Sequence, residues 1–303
     1  MKAFINNTLK EGEKSSLLCK KSFWMHSKCE ICGTEYLHRT TCKKEDCVEC
    51  GQVNSYAHFR RYARGISRVL WLWEEKKGIG YMVITFPLKE REKLKEKENL
   101  KKVERYIIRL LKRELKDVKG IARWHFAGEK SKKWHPHLNI LIGLTYIEKN
   151  KLKRVKDLIE KKTKSKVINY NYSRDIKKVL HYWRYITRPT FLLQNEVDYS
   201  KIKGMKNIIY IGNWREYKEN IKQKDRIEWL KYVKKLFEKG YFGKEKKDYK
   251  FMNLFIILHN RCVLCGEKLK FKKLNILDEI NLEFEQKKRN VYLGLNYYLI
   301  INE

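Results

Sequence analysis

The chain has 303 residues, of which 43% are hydrophobic, so it can bury a sizeable core and is not an intrinsically disordered protein. Seventy Lys and Arg against 36 Asp and Glu give a net charge of +34, more than solubility or a thermophile-type ion-pair surface requires, which favours a polyanionic partner. The 19 Tyr and eight Trp favour single-stranded nucleic acid in particular, because aromatic rings stack on unpaired bases.

Two further classes are disfavoured by the distribution of apolar residues. The sequence has no apolar run of about 18 residues and no apolar segment near its first residues, so we expect neither a membrane span nor a signal peptide. We therefore expect a cytoplasmic protein without a membrane partner. In a reducing compartment the eight cysteines are expected to bind metal rather than to form disulfides.

Residues 1–65 are predicted to form a zinc-ribbon module. Two Cys-x2-Cys-Gly knuckles follow each other here, and in each the glycine lets the backbone turn so that both thiolates face one ion. The spacing predicts a zinc site with the four ligands Cys29, Cys32, Cys47 and Cys50.

Residues 191–303 form a basic C-terminal region with a third knuckle, made by Cys262 and Cys265. Two thiolates do not complete a tetrahedral structural site. The sequence leaves two completions open. One uses His259 and a further residue, and the other uses Cys19 and Cys42 as partners in a second zinc site.

Residues 66–190 are predicted as the central domain. Hydrophobic periodicity predicts, in chain order, a strand at 80–86, a helix at 91–117, strands at 121–127 and 135–143, a helix at 149–162, a strand at 167–172 and a helix at 173–188. This β-α-β-β-α-β-α order predicts an α+β fold, a split βαβ antiparallel sheet of RRM or ferredoxin-like type with helices on one face. The other face is then left for a site.

The strand at 135–143 carries the candidate catalytic metal ligands. Side chains alternate faces along a strand, so aliphatic residues form one face while His135, His137 and Asn139 point the other way. Neutral imidazole is the commonest metal ligand, so the histidine pair predicts a divalent-metal site. Two half-exposed histidines without a ligand role are the alternative.

Three stretches together resemble the motifs of HUH endonucleases, the superfamily of rolling-circle replication initiators, transposases and relaxases. Residues 134–141 (WHPHLNIL) resemble its His-hydrophobe-His motif. Residues 82–87 (MVITFP) are similar to its first motif, a strand with a threonine near its end. Residues 182–188 (YWRYITR) are similar to its third motif, a helix carrying a tyrosine with a basic residue one turn later.

The resemblance implies a covalent mechanism. A tyrosine oxygen attacks a DNA phosphate, the 3′ hydroxyl leaves, and the 5′ phosphate stays on the enzyme until another hydroxyl reverses the step. Mn²⁺ or Mg²⁺ on His135 and His137 would polarise the phosphate. Glu129 stands where family members carry an acidic ligand, and a carboxylate suits a hard cation.

Two tyrosines are candidates for the nucleophile. The family pattern favours Tyr185, since Arg184 precedes it and Arg188 follows one turn later. Helical periodicity favours Tyr182 instead, because Tyr185 points away from the apolar stripe of its helix. Lys178, Arg184 and Arg188 are the candidate DNA-binding residues, as cations that would hold phosphates.

The sequence thus predicts a metal-dependent enzyme that nicks and rejoins single-stranded DNA as the replication initiator of a rolling-circle plasmid or virus. Single-stranded DNA or a hairpin origin is the expected partner, with a host helicase and polymerase as candidate further partners. A single-strand HUH transposase of a mobile element and a non-catalytic zinc-ribbon DNA-binding protein are the alternatives.

Overall fold

The computed structural model describes residues 24–40, 55–127, 133–144, 146–188, 200–202, 205, 207–240, 249–274, 290–294 and 297–300. The chain divides into two compact units. The first unit combines Met1–Ala57 with Lys224–Glu303, and the second is His58–Gln223. This division differs from the predicted boundaries at 65 and 190, because segments distant in sequence share the first unit.

The helices and strands alternate along much of the chain. The strands are β1 (Trp24–Lys28), β2 (Glu35–Arg39), β3 (Ile79–Thr85), β4 (Lys119–Ala127), β5 (Trp134–Gly143), β6 (Val167–Ser173), β7 (Ile208–Ile211), β8 (Lys272–Lys273), β9 (Asn290–Gly294) and β10 (Tyr297–Ile300). The helices are α1 (Ser55–Lys76), α2 (Leu88–Arg91), α3 (Lys97–Glu114), α4 (Lys149–Thr163), α5 (Ile176–Ile186), α6 (Arg215–Tyr217), α7 (Arg226–Glu238) and α8 (Tyr249–Leu258). None of the helices among the described residues is long and apolar enough to cross a membrane.

The first unit contains an antiparallel sheet in the order β8-β1-β2-β10-β9. Helices α7 and α8 belong to the same unit and bury large side chains against each other. The Trp229 ring of α7 stacks on the Phe255 ring of α8 with centroids 5.9 Å apart. Strands β1 and β2 form a hairpin whose turn carries the Cys29 knuckle.

The second unit contains an antiparallel sheet in the order β6-β3-β5-β4-β7. The expectation of an α+β chain with antiparallel sheets is confirmed, and β5 lies in the middle of its sheet as predicted. Strand β7 pairs with β4, which explains why residues 191–223 belong to this unit and not to a separate C-terminal region.

One face of this sheet packs on α3 and α4 to form the main hydrophobic core. Every second residue of the central strands is apolar and buried, as the alternation predicts. The strands contribute Met82, Ile84, Ala122, Trp124, Leu138, Ile140 and Ile142, and the two helices contribute Leu100, Ile107, Leu110, Leu111, Val155 and Ile159.

The opposite face was expected to be free, and the structure corrects this. Helices α5 and α1 lie over part of it. Tyr182 of α5 stacks on Tyr81 of β3, and a Cβ at Gly143 of β5 would overlap the Leu72 side chain of α1. The reason is that α1 has its own apolar stripe, including the buried Ile66, which has to be covered.

Candidate active site and metal centre

Three histidines meet on the face of the sheet that carries α5. His137 of β5 lies opposite Thr85 of β3 and opposite His125 of β4, and opposed residues share a face. The ring centroids are 5.1 Å apart for His125 and His137 and 5.6 Å apart for His135 and His137. His137 is 7% exposed and His125 is 6% exposed, so both rings are largely shielded from water. Nothing in the sequence alone indicates a role for His125.

Hydrogen bonds fix which ring nitrogens carry protons. Nδ1 of His137 donates to the carbonyl oxygen of His135 at 2.9 Å, so in the neutral ring the lone pair is on Nε2. Nε2 of His125 donates to the carbonyl oxygen of Ile186 at 2.9 Å. Burial, with the charges of Arg91 and His137, lowers the pKa of His135 to about 4. His135 is therefore neutral near pH 7, the form in which an imidazole binds metal.

Both candidate tyrosines face this sheet. The Tyr185 ring lies 5.4 Å from the His125 ring, and the Tyr182 ring is stacked 4.7 Å from the Tyr81 ring. Pointing away from the apolar stripe of α5 therefore does not remove Tyr185 from this face of the sheet. Buried Trp183 of α5 packs on α1 so closely that a Cβ at Gly65 would overlap its ring. Periodicity identifies a buried stripe but does not say which neighbour buries it.

A buried hydrogen-bonded pair on the sheet, Tyr81 and Asn139, lies under α5. The Tyr81 hydroxyl donates to Oδ1 of Asn139 at 2.7 Å, and Asn139 is fully buried on β5, two residues after His137. This bond fixes the Tyr81 ring on which Tyr182 rests. The sequence places Asn139 on the same face as His135 and His137, but nothing local shows that its partner is Tyr81 on β3.

The predicted DNA-binding cations lie on or just after α5. The Arg188 guanidinium lies 4.9 Å over the Tyr185 ring, so the structure brings this residue to the candidate nucleophile. Lys178 and Arg184 are exposed on the same helix. The predicted acidic ligand Glu129 lies outside the described residues.

The cysteines of the first unit form a compact cluster. The Sγ atoms of Cys29, Cys32, Cys262 and Cys265 all lie within 4.8 Å of one another. The Cys29–Cys265 and Cys32–Cys262 sulfur distances are 3.4 and 3.5 Å, too long for a disulfide bond of about 2.05 Å. Four thiolates around a tetrahedral Zn²⁺ with bonds of about 2.3 Å would be about 3.8 Å apart. The cluster can hold a metal ion such as zinc.

This arrangement corrects the predicted grouping of the knuckles. Cys29 and Cys32 were assigned to a site with Cys47 and Cys50, but they meet Cys262 and Cys265 instead. The spacing rule favours the nearest knuckle along the chain, whereas a metal ion needs ligands that are close in space. Four of the predicted ligands, Cys19, Cys42, Cys47 and Cys50, lie outside the described residues.

His259, the other proposed partner of the third knuckle, is not part of the cluster. Its Nδ1 donates to the carbonyl oxygen of Phe255 at 2.8 Å, and its ring packs against the Trp229 ring. Among the described residues the four cysteines are the one group of three or more potential ligand side chains drawn together in this way. A catalytic ion on the sheet histidines therefore stays a prediction.

The two knuckles have matching backbone geometry. Gly33 donates its amide to the carbonyl of Cys29 at 3.0 Å, and Gly266 donates to the carbonyl of Cys262 at 2.9 Å. Both glycines have left-handed backbone, with φ of +71° and +74°. Each knuckle thus aims its pair of sulfurs at a common point.

The thiol pKa values differ widely within the cluster, and a bound cation would let all four thiols ionise. Burial raises the pKa of Cys265 to about 12. Burial also acts to raise the pKa of Cys32, but hydrogen bonds with Thr34 and with the Cys29 and Cys262 thiols outweigh it and lower that pKa to about 6. Four thiols at this distance do not all ionise without a cation, which a divalent metal supplies.

One hydroxyl lies behind the ligands. The Tyr36 hydroxyl accepts the Val263 amide at 3.1 Å and lies 3.0 Å from Sγ of Cys262, so it donates to that sulfur when the sulfur is a thiolate. A hydrogen bond of this kind orients a ligand and stabilises its thiolate.

The chain was compared with protein-family models, with curated proteins and with solved structures. None of the three comparisons found a match.

Proposed function

We propose that the second unit nicks and rejoins single-stranded DNA through a covalent 5′-phosphotyrosine, as the replication initiator of a rolling-circle plasmid or virus. The observation that carries the proposal is the meeting of Tyr185 with His125, which in turn faces His137 on the middle strand. A tyrosine beside imidazoles that are shielded from water on a rigid sheet is the set of groups this chemistry requires.

The neighbourhood of the three motifs also supports the proposal. Thr85 ends β3 and is the cross-strand neighbour of His137, so the first two motifs meet in one row of the sheet. The third motif, on α5, lies over the same face. This strand order, with α3 and α4 on the other face, is what a split βαβ nuclease core would have.

In the proposed reaction the Tyr185 oxygen attacks the phosphorus as its proton is lost to a base or to water. The bond from phosphorus to the 3′ oxygen breaks, and that oxygen takes up a proton and leaves as a hydroxyl. The 5′ phosphate remains on Tyr185, and a 3′ hydroxyl that attacks it rejoins the strand. Because one phosphodiester replaces another, no nucleotide cofactor is consumed.

His135 and His137 suit a divalent ion, since His135 is neutral near pH 7 and His137 uses Nδ1, not Nε2, in its bond to the His135 carbonyl. Glu129 is the proposed carboxylate ligand. When bound, Mn²⁺ or Mg²⁺ would polarise the phosphate oxygens and offset the charge that builds up on them. Tyr185 is favoured over Tyr182 because Arg188 lies over its ring and would also attract the phosphate.

In the first unit we infer a structural Zn²⁺ on Cys29, Cys32, Cys262 and Cys265, in a zinc-ribbon arrangement of β1, β2 and the second knuckle.

A transposase of the same chemistry would use the same catalytic groups. The two differ in whether the cleaved strand is a replication origin or the end of a mobile element.

The proposal is tested with the wild-type protein, Mn²⁺ and a pool of 5′-labelled and 3′-labelled single strands that contain a randomised segment. We expect an adduct resistant to detergent that carries the 3′ label, because the protein is attached to the 5′ phosphate of the downstream fragment. EDTA should prevent it. Absence of an adduct with both Mn²⁺ and Mg²⁺ would reject the nicking activity and favour the non-catalytic DNA-binding alternative.

The net charge of +34 leads to a separate expectation. Binding to single-stranded oligo(dT) should weaken steeply with salt, with a log–log slope of about 0.7 for each phosphate neutralised. Fluorescence anisotropy at several KCl concentrations measures the slope. A flat response would show that the positive charge does not serve a nucleic acid.

A further inference from the structure

We propose that β6 reads bases of the bound DNA strand through the side-chain amides of Asn169 and Asn171. The inference rests on the proposed function and adds the surface that gives it sequence preference. We call Val167, Asn169 and Asn171 the β6 shelf, after the strand that presents them.

The register of the sheet places the shelf on the same face as the site. Asn171 lies opposite Tyr81, and Val167 lies opposite Thr85. Opposed side chains point to one face of a sheet. Tyr81 supports Tyr182, and Thr85 is also the neighbour of His137, so the shelf continues the rows that carry the candidate catalytic groups.

The shelf is an open part of this face. Over β4 and β5 the face is covered, since His125 is 6% exposed and Asn139 is fully buried. At β6 it is uncovered: Val167 is 52% exposed, and Asn169 and Asn171 are exposed as well. A single DNA strand could therefore lie on β6 and reach Tyr182 and Tyr185 without displacing a helix.

The charge around the shelf matches a phosphate backbone. From residue 167 to 188 the chain carries the five cations Arg174, Lys177, Lys178, Arg184 and Arg188 and one acid, Asp175. That acid is already used, because its side chain accepts the Lys177 amide at 2.8 Å and caps α5. Phosphates are thus attracted to this side of the sheet.

The chemistry of the shelf fits bases better than phosphates. An amide offers a donor and an acceptor, so Asn can make paired hydrogen bonds to the edge of a base, whereas Lys and Arg on α5 are suited to the backbone. Unpaired bases expose these edges and can stack on an adjacent ring such as that of Tyr182. A protein partner is disfavoured, because Val167 is the one apolar member of the shelf.

The test is a binding selection from a pool of single strands with a randomised segment, made with the wild type and with Asn169→Ala/Asn171→Ala. The wild type should enrich a preferred sequence. The double variant should lose discrimination at one or two positions, by roughly tenfold for each base that an amide no longer binds. Its affinity for oligo(dT) should stay within about twofold, because the cations that bind phosphates are unchanged. Asn150→Ala, an exposed Asn on α4, is the matched control and should behave as the wild type.

The outcomes separate this inference from the proposed function. An unchanged preferred sequence in the double variant overturns the role of the shelf, even where the wild type forms its covalent adduct. Equal loss of affinity for all sequences also overturns it, since the amides would then bind the backbone. If the wild type forms no adduct but the double variant loses its preference, the shelf reads bases and the nicking activity is rejected.

Discussion

Replacing Tyr185 by Phe is expected to abolish the covalent protein–DNA adduct while leaving the affinity for single-stranded DNA within about twofold. The substitution keeps the ring beside His125 and beneath Arg188 and removes only the attacking oxygen. Labelled DNA on a denaturing protein gel measures the adduct, and anisotropy measures binding. Tyr182→Phe is the matched control, one turn earlier on the same helix, and should retain the adduct.

His135→Ala and His137→Ala should also remove cleavage, but through loss of the divalent ion. Excess Mn²⁺ should therefore partly restore a histidine variant and should not restore Tyr185→Phe. If Tyr182→Phe is inactive and Tyr185→Phe cleaves, the nucleophile is one turn earlier. Adduct formation by both tyrosine variants would show that the site is elsewhere.

Loss of one cysteine ligand is expected to have the largest effect on stability. Cys265→Ser should remove one equivalent of tightly bound zinc and unfold the first unit, because a structural zinc site supplies folding free energy directly. Metal analysis of the purified protein gives the stoichiometry, and thermal unfolding followed by circular dichroism gives the loss of structure. Cys29→Ser, in the other knuckle, should give the same result.

Cys47→Ser distinguishes the observed grouping from the one that the spacing predicts. It should leave the zinc of the Cys29 cluster in place. Loss of that zinc in Cys47→Ser, with retention in Cys265→Ser, would contradict the arrangement of the first unit and restore the ligand set predicted from the sequence.

The central sheet shows which features of the fold can be predicted from neighbouring residues alone. The predicted strand at 135–143 is observed as Trp134–Gly143, and the predicted helix at 149–162 as Lys149–Thr163, because alternation and helical spacing are written in neighbouring residues. Pairing between distant segments has no such signal. For this reason the sequence alone puts β7 outside the central domain and pairs the cysteine knuckles by their distance along the chain.

The candidate site shows the same limit. His135 and His137 could be identified because they stand two residues apart on one strand. His125 had no local signal, since a single histidine in an apolar strand is ordinary, and only the register of β4 against β5 places it opposite His137. The cover provided by α1 was missed for the same reason.

The cysteine cluster also has a consequence for the order in which the protein is made. Its ligands come from residues 29–32 and 262–265, with the whole second unit between them. Domains generally fold as they are synthesised, so the sheet of the second unit is complete once β7 has left the ribosome. The first knuckle, in contrast, has to wait for the synthesis of Cys265. Loading of the proposed zinc is thus expected to be a late event, and a nascent chain that stops short of that residue would carry a finished central sheet and half of the cysteine cluster.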